Sequence, residues 1–345
     1  MTPSFRVGVT RDLLKHAGTP GSDDIGLNLL SEAAGVQWEF LAEETSELRA
    51  DQVRDYDALL VLASSVTAAT LEGADRLAII ARFGVGYDRV DVEACTQNGV
   101  LLTITPDGVR RPLAVAALTL VLALSHKLLI KDRLTRAGRW AEKVSYMGMG
   151  LTGRTLGVIG LGNIGRELLV LARPFSMRHL IYDPYVTPEQ AQTEGAEQVN
   201  LETLLRTADF VCLCCPLNAE TYHLMNAERI ALMKPTAYLI NIARGPIVDQ
   251  AALTTALREG RIQGAGLDVF EQEPVDPDDP LLALENVIVA PHAIGWTDEC
   301  FRGNGRSACQ SILEVAAGRL PRYVVNRDVL SHPRLLERLR QYSQR

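Results

Sequence analysis

Short apolar runs recur along the chain at residues 7–9, 38–41, 58–62, 77–81 and 100–104. After a long helical stretch the same rhythm resumes at 156–159, 179–182, 210–215, 237–241, 264–269 and 287–290. Most of these runs are continuously apolar rather than alternating, which predicts strands covered on both faces, as in parallel sheets. Polar and helical stretches between them, for instance 25–34, 91–97, 251–259 and 297–318, supply the crossovers. Asn98-Gly99 is a good stop for the 91–97 helix. The pattern predicts an α/β protein with two doubly wound parallel sheets.

Between the two series, 106–131 reads as one long helical segment broken near its start by Pro112. Its apolar part, 113–124, falls short of the ~20 residues that span a bilayer and reads as a buried helix. Residues 138–153, rich in glycine and methionine and including Trp140, and the acidic, proline-bearing 271–280 read as loops.

At 345 residues the chain exceeds one ordinary core, and about 150 residues per domain suggests two. Net charge is −7 and the basic residues are dispersed, which argues against nucleic-acid and anionic-membrane partners. The N-terminal residues lack the basic-then-apolar pattern of a signal peptide, so a cytoplasmic protein is expected. Three of the six cysteines lie in CLCC, where successive strand residues face opposite ways, so they read as small buried residues and no metal site is expected.

The most informative stretch is 153–183. An apolar run ends at Gly160, where GLGNIG begins, a helical pattern follows from Asn163, and a second apolar run ends in Asp183. Gly160 permits a tight turn, Gly162 allows backbone to approach a pyrophosphate, and Gly165 allows close packing of helix on strand. The amides opening the helix can receive phosphates. Asp183 can accept hydrogen bonds from both ribose hydroxyls and would repel a 2′-phosphate. No arginine or lysine follows it in DPY, so NAD is the expected cofactor.

In open α/β sheets ligands gather beyond the carboxyl ends of the strands. Three polar residues stand there: Arg244, Glu273 and His292. A guanidinium can grip a carboxylate in bidentate fashion and polarise a carbonyl. An imidazole can shuttle a proton near neutral pH, and a carboxylate on its other nitrogen favours the imidazolium. That set suits hydride exchange between a nicotinamide and a 2-keto or 2-hydroxy acid.

GLGNIG with Asp183, NIARGPIVDQAAL, GAGLDVFEQEP and PHAIGW together resemble the D-isomer-specific 2-hydroxyacid dehydrogenases, from about residue 81 to 323. The resemblance implies a Rossmann cofactor domain, 106–296, inserted into a flavodoxin-like substrate domain made of 1–105 and 297–345, with the active site in the cleft. It implies Arg244, Glu273 and His292 as the catalytic set. Asn163 and Ile164 would lie under the pyrophosphate, Asp183 on the adenosine ribose, and Pro216 and Thr221 beside adenosine and phosphates. Ile242 and Asp268 would face the nicotinamide, and Gly295 is counted with the cofactor-binding positions. In RFGVGYDRVD the backbone of Val85 and Gly86 would hold the substrate carboxylate. The implied assembly is a homodimer in which Trp140 reaches a neighbouring subunit. Glu273 argues against formate oxidation, since formate dehydrogenases of this fold carry glutamine there.

Two points stay open in the residues themselves. Arg110 and Arg111 could meet a second anionic group of a substrate or could be exposed helix-start residues; Trp296 could narrow a pocket or pack in a core. The competing functional class is a non-catalytic NAD(H)-sensing protein like the family's corepressors, which keep the same three residues.

Overall fold

The computed structural model describes residues 4–14 and 25–344. The first apolar series forms β1 (Phe5–Val9), β2 (Val36–Phe40), β3 (Ala58–Val61), β4 (Ile79–Arg82) and β5 (Leu101–Thr103), paired in parallel in the order β2-β1-β3-β4-β5. The second forms β6 (Thr155–Ile159), β7 (Arg178–Tyr182), β8 (Glu197–Gln198), β9 (Phe210–Leu213), β10 (Tyr238–Asn241), β11 (Gly264–Leu267) and β12 (Val287–Val289). These seven are also parallel, in the order β12-β11-β10-β9-β6-β7-β8, and the strand order reverses at β6, between β7 and β9. The chain divides into two compact units. One holds residues up to Val109 and from Trp296 onward; the other is Arg110–Gly295.

Most of the strand runs are apolar without interruption because both faces of each sheet are covered, whereas the edge strand β2 alternates, with Gln37 and Glu39 exposed. In β3, Ala58 and Leu60 enter one core with Val7, Ile79 and Ala81, while Leu59 and Val61 enter another with Ile80 and Leu102. In the second unit Val211 and Leu213 of β9 face one core, and Phe210 and Cys212 the other. A fully buried side chain of this size contributes about 1.5–3 kcal/mol. The same alternation separates Cys212 and Cys214 from Cys215, and burial pushes the Cys212 thiol up to about 12 and that of Cys215 to about 11. All six cysteines are free. β8 escapes the hydrophobic pattern because it is a two-residue edge strand, Glu-Gln, with no apolar run.

Local chemistry sets the helix ends. Asp91 accepts from Ala94 N at the start of the Val92–Gln97 helix, and Gly99, at φ 65°, follows its end. Asp249 and Thr297 cap the Gln250–Arg258 and Asp298–Ala316 helices in the same way.

The long segment departs from expectation. Pro112 does not break it: one helix runs Pro106–Ser125 with Pro112 inside, Lys127 at φ 51° stops it, and a second helix runs Leu128–Arg136. Proline forfeits the bond to the Gly108 carbonyl, a cost of about 3 kcal/mol. The helix beyond it buries Ala114, Ala117, Leu120, Val121 and Leu124 in the second unit's core, which outweighs that loss. The helix is therefore longer than its apolar run, 20 residues, and is long and apolar enough to cross a membrane; 56% of its apolar window is buried inside the fold, as in the core helix of a globular protein.

Candidate active site

The site grows from the carboxyl ends of the second sheet. β6 runs into Gly160 at φ 95°, where an added Cβ would stand 2.7 Å from the backbone of Cys215. A Cβ on Gly165 would stand 2.2 Å from the Gly160 carbonyl oxygen, so the Asn163–Ala172 helix approaches the turn as closely as backbone allows. Gly162, in contrast, has open space where a Cβ would be, and no side chain caps the helix that it begins. Its orphan amides and that open cradle fit a pyrophosphate, the group which the glycine pattern calls for. Asp183, after β7, accepts from Leu161 N at 2.8 Å and Tyr185 N at 2.9 Å, so the acid also ties its own loop to the glycine turn.

Pro216 and Thr221 lie in the loop after β9, where Thr221 Oγ1 donates to the Pro216 carbonyl at 2.7 Å and Asn218 Oδ1 accepts from the amides of Glu220 and Thr221. Ile242 is buried in the apolar core beside Ile240. Gly295 is buried, and a Cβ on it would stand 2.6 Å from Leu113 Cδ2.

Arg244, Glu273 and His292 follow β10, β11 and β12, which are neighbours in the sheet. His292 Nδ1 lies 2.8 Å from Glu273 Oε2, and Glu273 Oε1 accepts from Phe270 N at 3.1 Å. Burial by itself pushes the Glu273 carboxyl up. The hydrogen bonds from His292 and Phe270 N, with the charges of His292 and Arg244, outweigh it and hold the group below the usual carboxylate value. Arg244 is thus close enough for its charge to act on Glu273. Its Nη1 donates to the Ala243 carbonyl at 2.7 Å.

Two supports, Asn241 and Gly245, were not legible as site residues, and a third, Asp268, was read only as facing the nicotinamide. Asn241, 1% exposed at the end of β10, donates to the Arg244 carbonyl and accepts from Ala243 N, which fixes the turn carrying the guanidinium. A Cβ on Gly245 would fall 1.7 Å from the Phe270 carbonyl oxygen, so the Arg244 loop lies directly on the loop that carries Glu273. Asp268 Oδ1 accepts from Ala293 N at 2.9 Å and Ile294 N at 3.0 Å and anchors the residues after His292, which itself sits at φ 54°. Burial pushes Asp268 above the usual carboxylate value, with those two amides opposing. An asparagine or glycine beside an arginine was a visible signal; the contact partner of each was not.

Val85 and Gly86 belong to the other unit, in the loop after β4. Gly84 N donates to Thr105 Oγ1 at 2.8 Å, and Thr105 Oγ1 donates to the buried Asn304 Oδ1 at 2.8 Å, which holds that loop to the Asp298–Ala316 helix. Trp296 packs edge-on against Phe301 at 5.3 Å, and Phe301 meets Phe83 at 5.4 Å. Arg110 and Arg111 both pair with Glu167, at 3.6 and 2.8 Å, and are about half exposed, 51% and 53%.

Fold and glycine turn define a dinucleotide-binding α/β protein. Residues 118–293 match the model of the D-isomer specific 2-hydroxyacid dehydrogenase, NAD binding domain. A glyoxylate reductase of Thermococcus onnurineus is 40% identical over 314 residues, covering 89% of this chain and 94% of that protein. Among solved structures, the TT0316 protein of Thermus thermophilus superposes with a TM-score of 0.80 at 33% identity, over 93% of this chain and 99% of the other. D-lactate dehydrogenase of Aquifex aeolicus, solved with NAD and lactic acid, gives 0.80 at 26% identity over 93% and 99%. The chain belongs to the D-isomer specific 2-hydroxyacid dehydrogenase family. It is an NAD-dependent oxidoreductase that moves hydride between nicotinamide and C2 of a small 2-hydroxy or 2-keto acid.

Proposed function

We propose that Arg244, Glu273 and His292 are the catalytic set of a reductase for short, unphosphorylated 2-keto acids of the glyoxylate class. The observation that carries this reading is the 2.8 Å pair between His292 Nδ1 and Glu273 Oε2, which leaves Nε2 to face substrate. NADH, when bound, supplies the hydride. Arg244 then takes the substrate carboxylate and polarises the ketone. His292 Nε2 delivers the proton to the carbonyl oxygen as the alcohol forms, and Glu273 holds the imidazolium in register. Oxidation reverses each step.

Gly160, Gly162, Asn163, Ile164 and Gly165 hold the pyrophosphate, Asp183 the ribose, Pro216 and Thr221 the adenosine side, and Ile242, Asp268 and Gly295 the nicotinamide side. The preference for an unphosphorylated substrate rests on Arg110 and Arg111, both engaged by Glu167. The relative named glyoxylate reductase points the same way. Purified protein with NADH and a panel of 2-keto acids, followed at the nicotinamide absorbance, tests this. Fast turnover of glyoxylate and slow turnover of phosphorylated substrates are expected. Tight NADH binding with no turnover on any substrate would overturn it in favour of a sensor.

The assembly we propose is a homodimer through the second unit. Leu128, Leu129, Trp140, Val144 and Met147 are all exposed, Met147 by 81%, beside a cavity of about 220 Å³ lined by Leu129, Ile130 and Tyr146. A monomeric sedimentation coefficient at micromolar concentration would rule it out. Six free thiols suit a reducing cytoplasm.

A further inference from the structure

The loops that follow β7 and β9 flank the glycine turn, because β6 pairs with β7 on one side and β9 on the other. One side-chain bond joins the two flanking loops: Tyr185 Oη donates to Glu220 Oε2 at 3.1 Å. Both ends are anchored. Tyr185 N donates to Asp183 Oδ1, the carboxylate assigned to the ribose, and Glu220 N donates to Asn218 Oδ1 within the braced Pro216–Thr221 turn. The carboxylate raises the Tyr185 phenol above its ordinary value, and the charge of Asp183 adds to that effect. Among the described residues no cation pairs with Asp183 or Glu220, although ion pairs are frequent elsewhere on the surface.

We propose that Glu220, positioned by Tyr185, is a second determinant, beside Asp183, of the preference for NAD over its 2′-phosphorylated form. The inference rests on the cofactor site proposed above. A 2′-phosphate would bring up to two further negative charges to a ribose edge that already carries two uncompensated carboxylates. The Tyr185 hydroxyl is spent on Glu220, and the Thr221 hydroxyl on the Pro216 carbonyl. Between partly exposed charges such repulsion is modest and falls with salt.

Dissociation constants for NADH and NADPH, measured by calorimetry on the full chain, test it. For Glu220→Gln, NADPH should tighten about 5- to 10-fold while NADH stays within about 2-fold. Tyr185→Phe, which releases Glu220 from its clamp, should give a smaller gain of the same sign. The unmodified protein's NADPH-to-NADH ratio should shrink as salt rises, and that of Glu220→Gln should shrink less. An unchanged ratio in Glu220→Gln, with NADH binding intact, overturns the role of Glu220 alone. Failure of the unmodified protein to bind NADH overturns the cofactor site beneath it, and this inference with it.

Discussion

His292 and Glu273 illustrate how a site is made from residues that are ordinary one at a time. Each lies in a loop, each side chain is partly exposed, and together they form a 2.8 Å pair with Arg244 acting on it from the next strand end. The carboxylate lies below its ordinary value, so it stays charged through the neutral range. Its stabilising pairing is present above the unfolded carboxyl value and is lost as pH falls through the lower folded one. In the proposed reduction Glu273 holds the imidazole Nδ1 while Nε2 gives up its proton. Glu273→Gln keeps the shape and removes the charge, and should lower kcat for a 2-keto acid about 10- to 100-fold. His292→Gln should lose about 100-fold or more and keep its affinity for NADH. Steady-state kinetics with parallel NADH titrations check both; an unchanged kcat in Glu273→Gln would show that the pair is only structural.

Among elements, the glycine turn separates folding from binding residue by residue. Gly162 has room for a Cβ at an ordinary φ of −77°, so Gly162→Ala should cost the fold at most about 1 kcal/mol. It should nevertheless weaken NADH about 10-fold or more, because the methyl fills the phosphate cradle. Gly165→Ala drives a Cβ to within 2.2 Å of a backbone oxygen and should cost about 3 kcal/mol. Thermal midpoints and NADH titrations on the two variants should therefore rank them in opposite order. Equal loss of both properties in both variants would mean that the turn has no separate binding function.

These elements were also where the chain was most readable. Eleven runs read as strands are strands, because a parallel strand covered on both faces is mostly apolar and little else in a short segment gives that pattern. The exceptions follow from the same rule. Glu197–Gln198 pairs at a sheet edge by backbone bonds alone, and Pro112 sits inside a helix whose packing lies elsewhere in the chain.

For the molecule as a whole, acid should act through a group outside the proposed catalytic set. His179 of β7 is 7% exposed, and its Nε2 is buried without a hydrogen-bond partner in the described residues. Burial pushes its imidazole below the ordinary value, against a hydrogen bond with the Gly195 backbone. A lowered folded value means that the unfolded chain binds the proton more readily. Its contribution to stability is complete above the unfolded imidazole value of about 6.5 and is lost as pH falls through the folded one. His179→Leu should flatten the loss of stability between neutral and mildly acidic pH, read from urea midpoints at several pH values. An equally steep loss in the variant would place the acid sensitivity elsewhere.

From its own letters this chain settles its strand series, its glycine turn, the acid that follows β7, and the placing of three polar residues at strand ends. Each of these is encoded by neighbours a few positions apart, through strand and helix periods and through the volume of a missing side chain. Tertiary structure alone decides which charges meet. Arg110 and Arg111 meet Glu167, Gly245 meets the Phe270 carbonyl, Asp268 takes the amides of Ala293 and Ile294, and Tyr185 reaches Glu220. Most of those partners are brought together by the order of strands in the sheet, which depends on packing summed over the whole unit and leaves no mark at either residue.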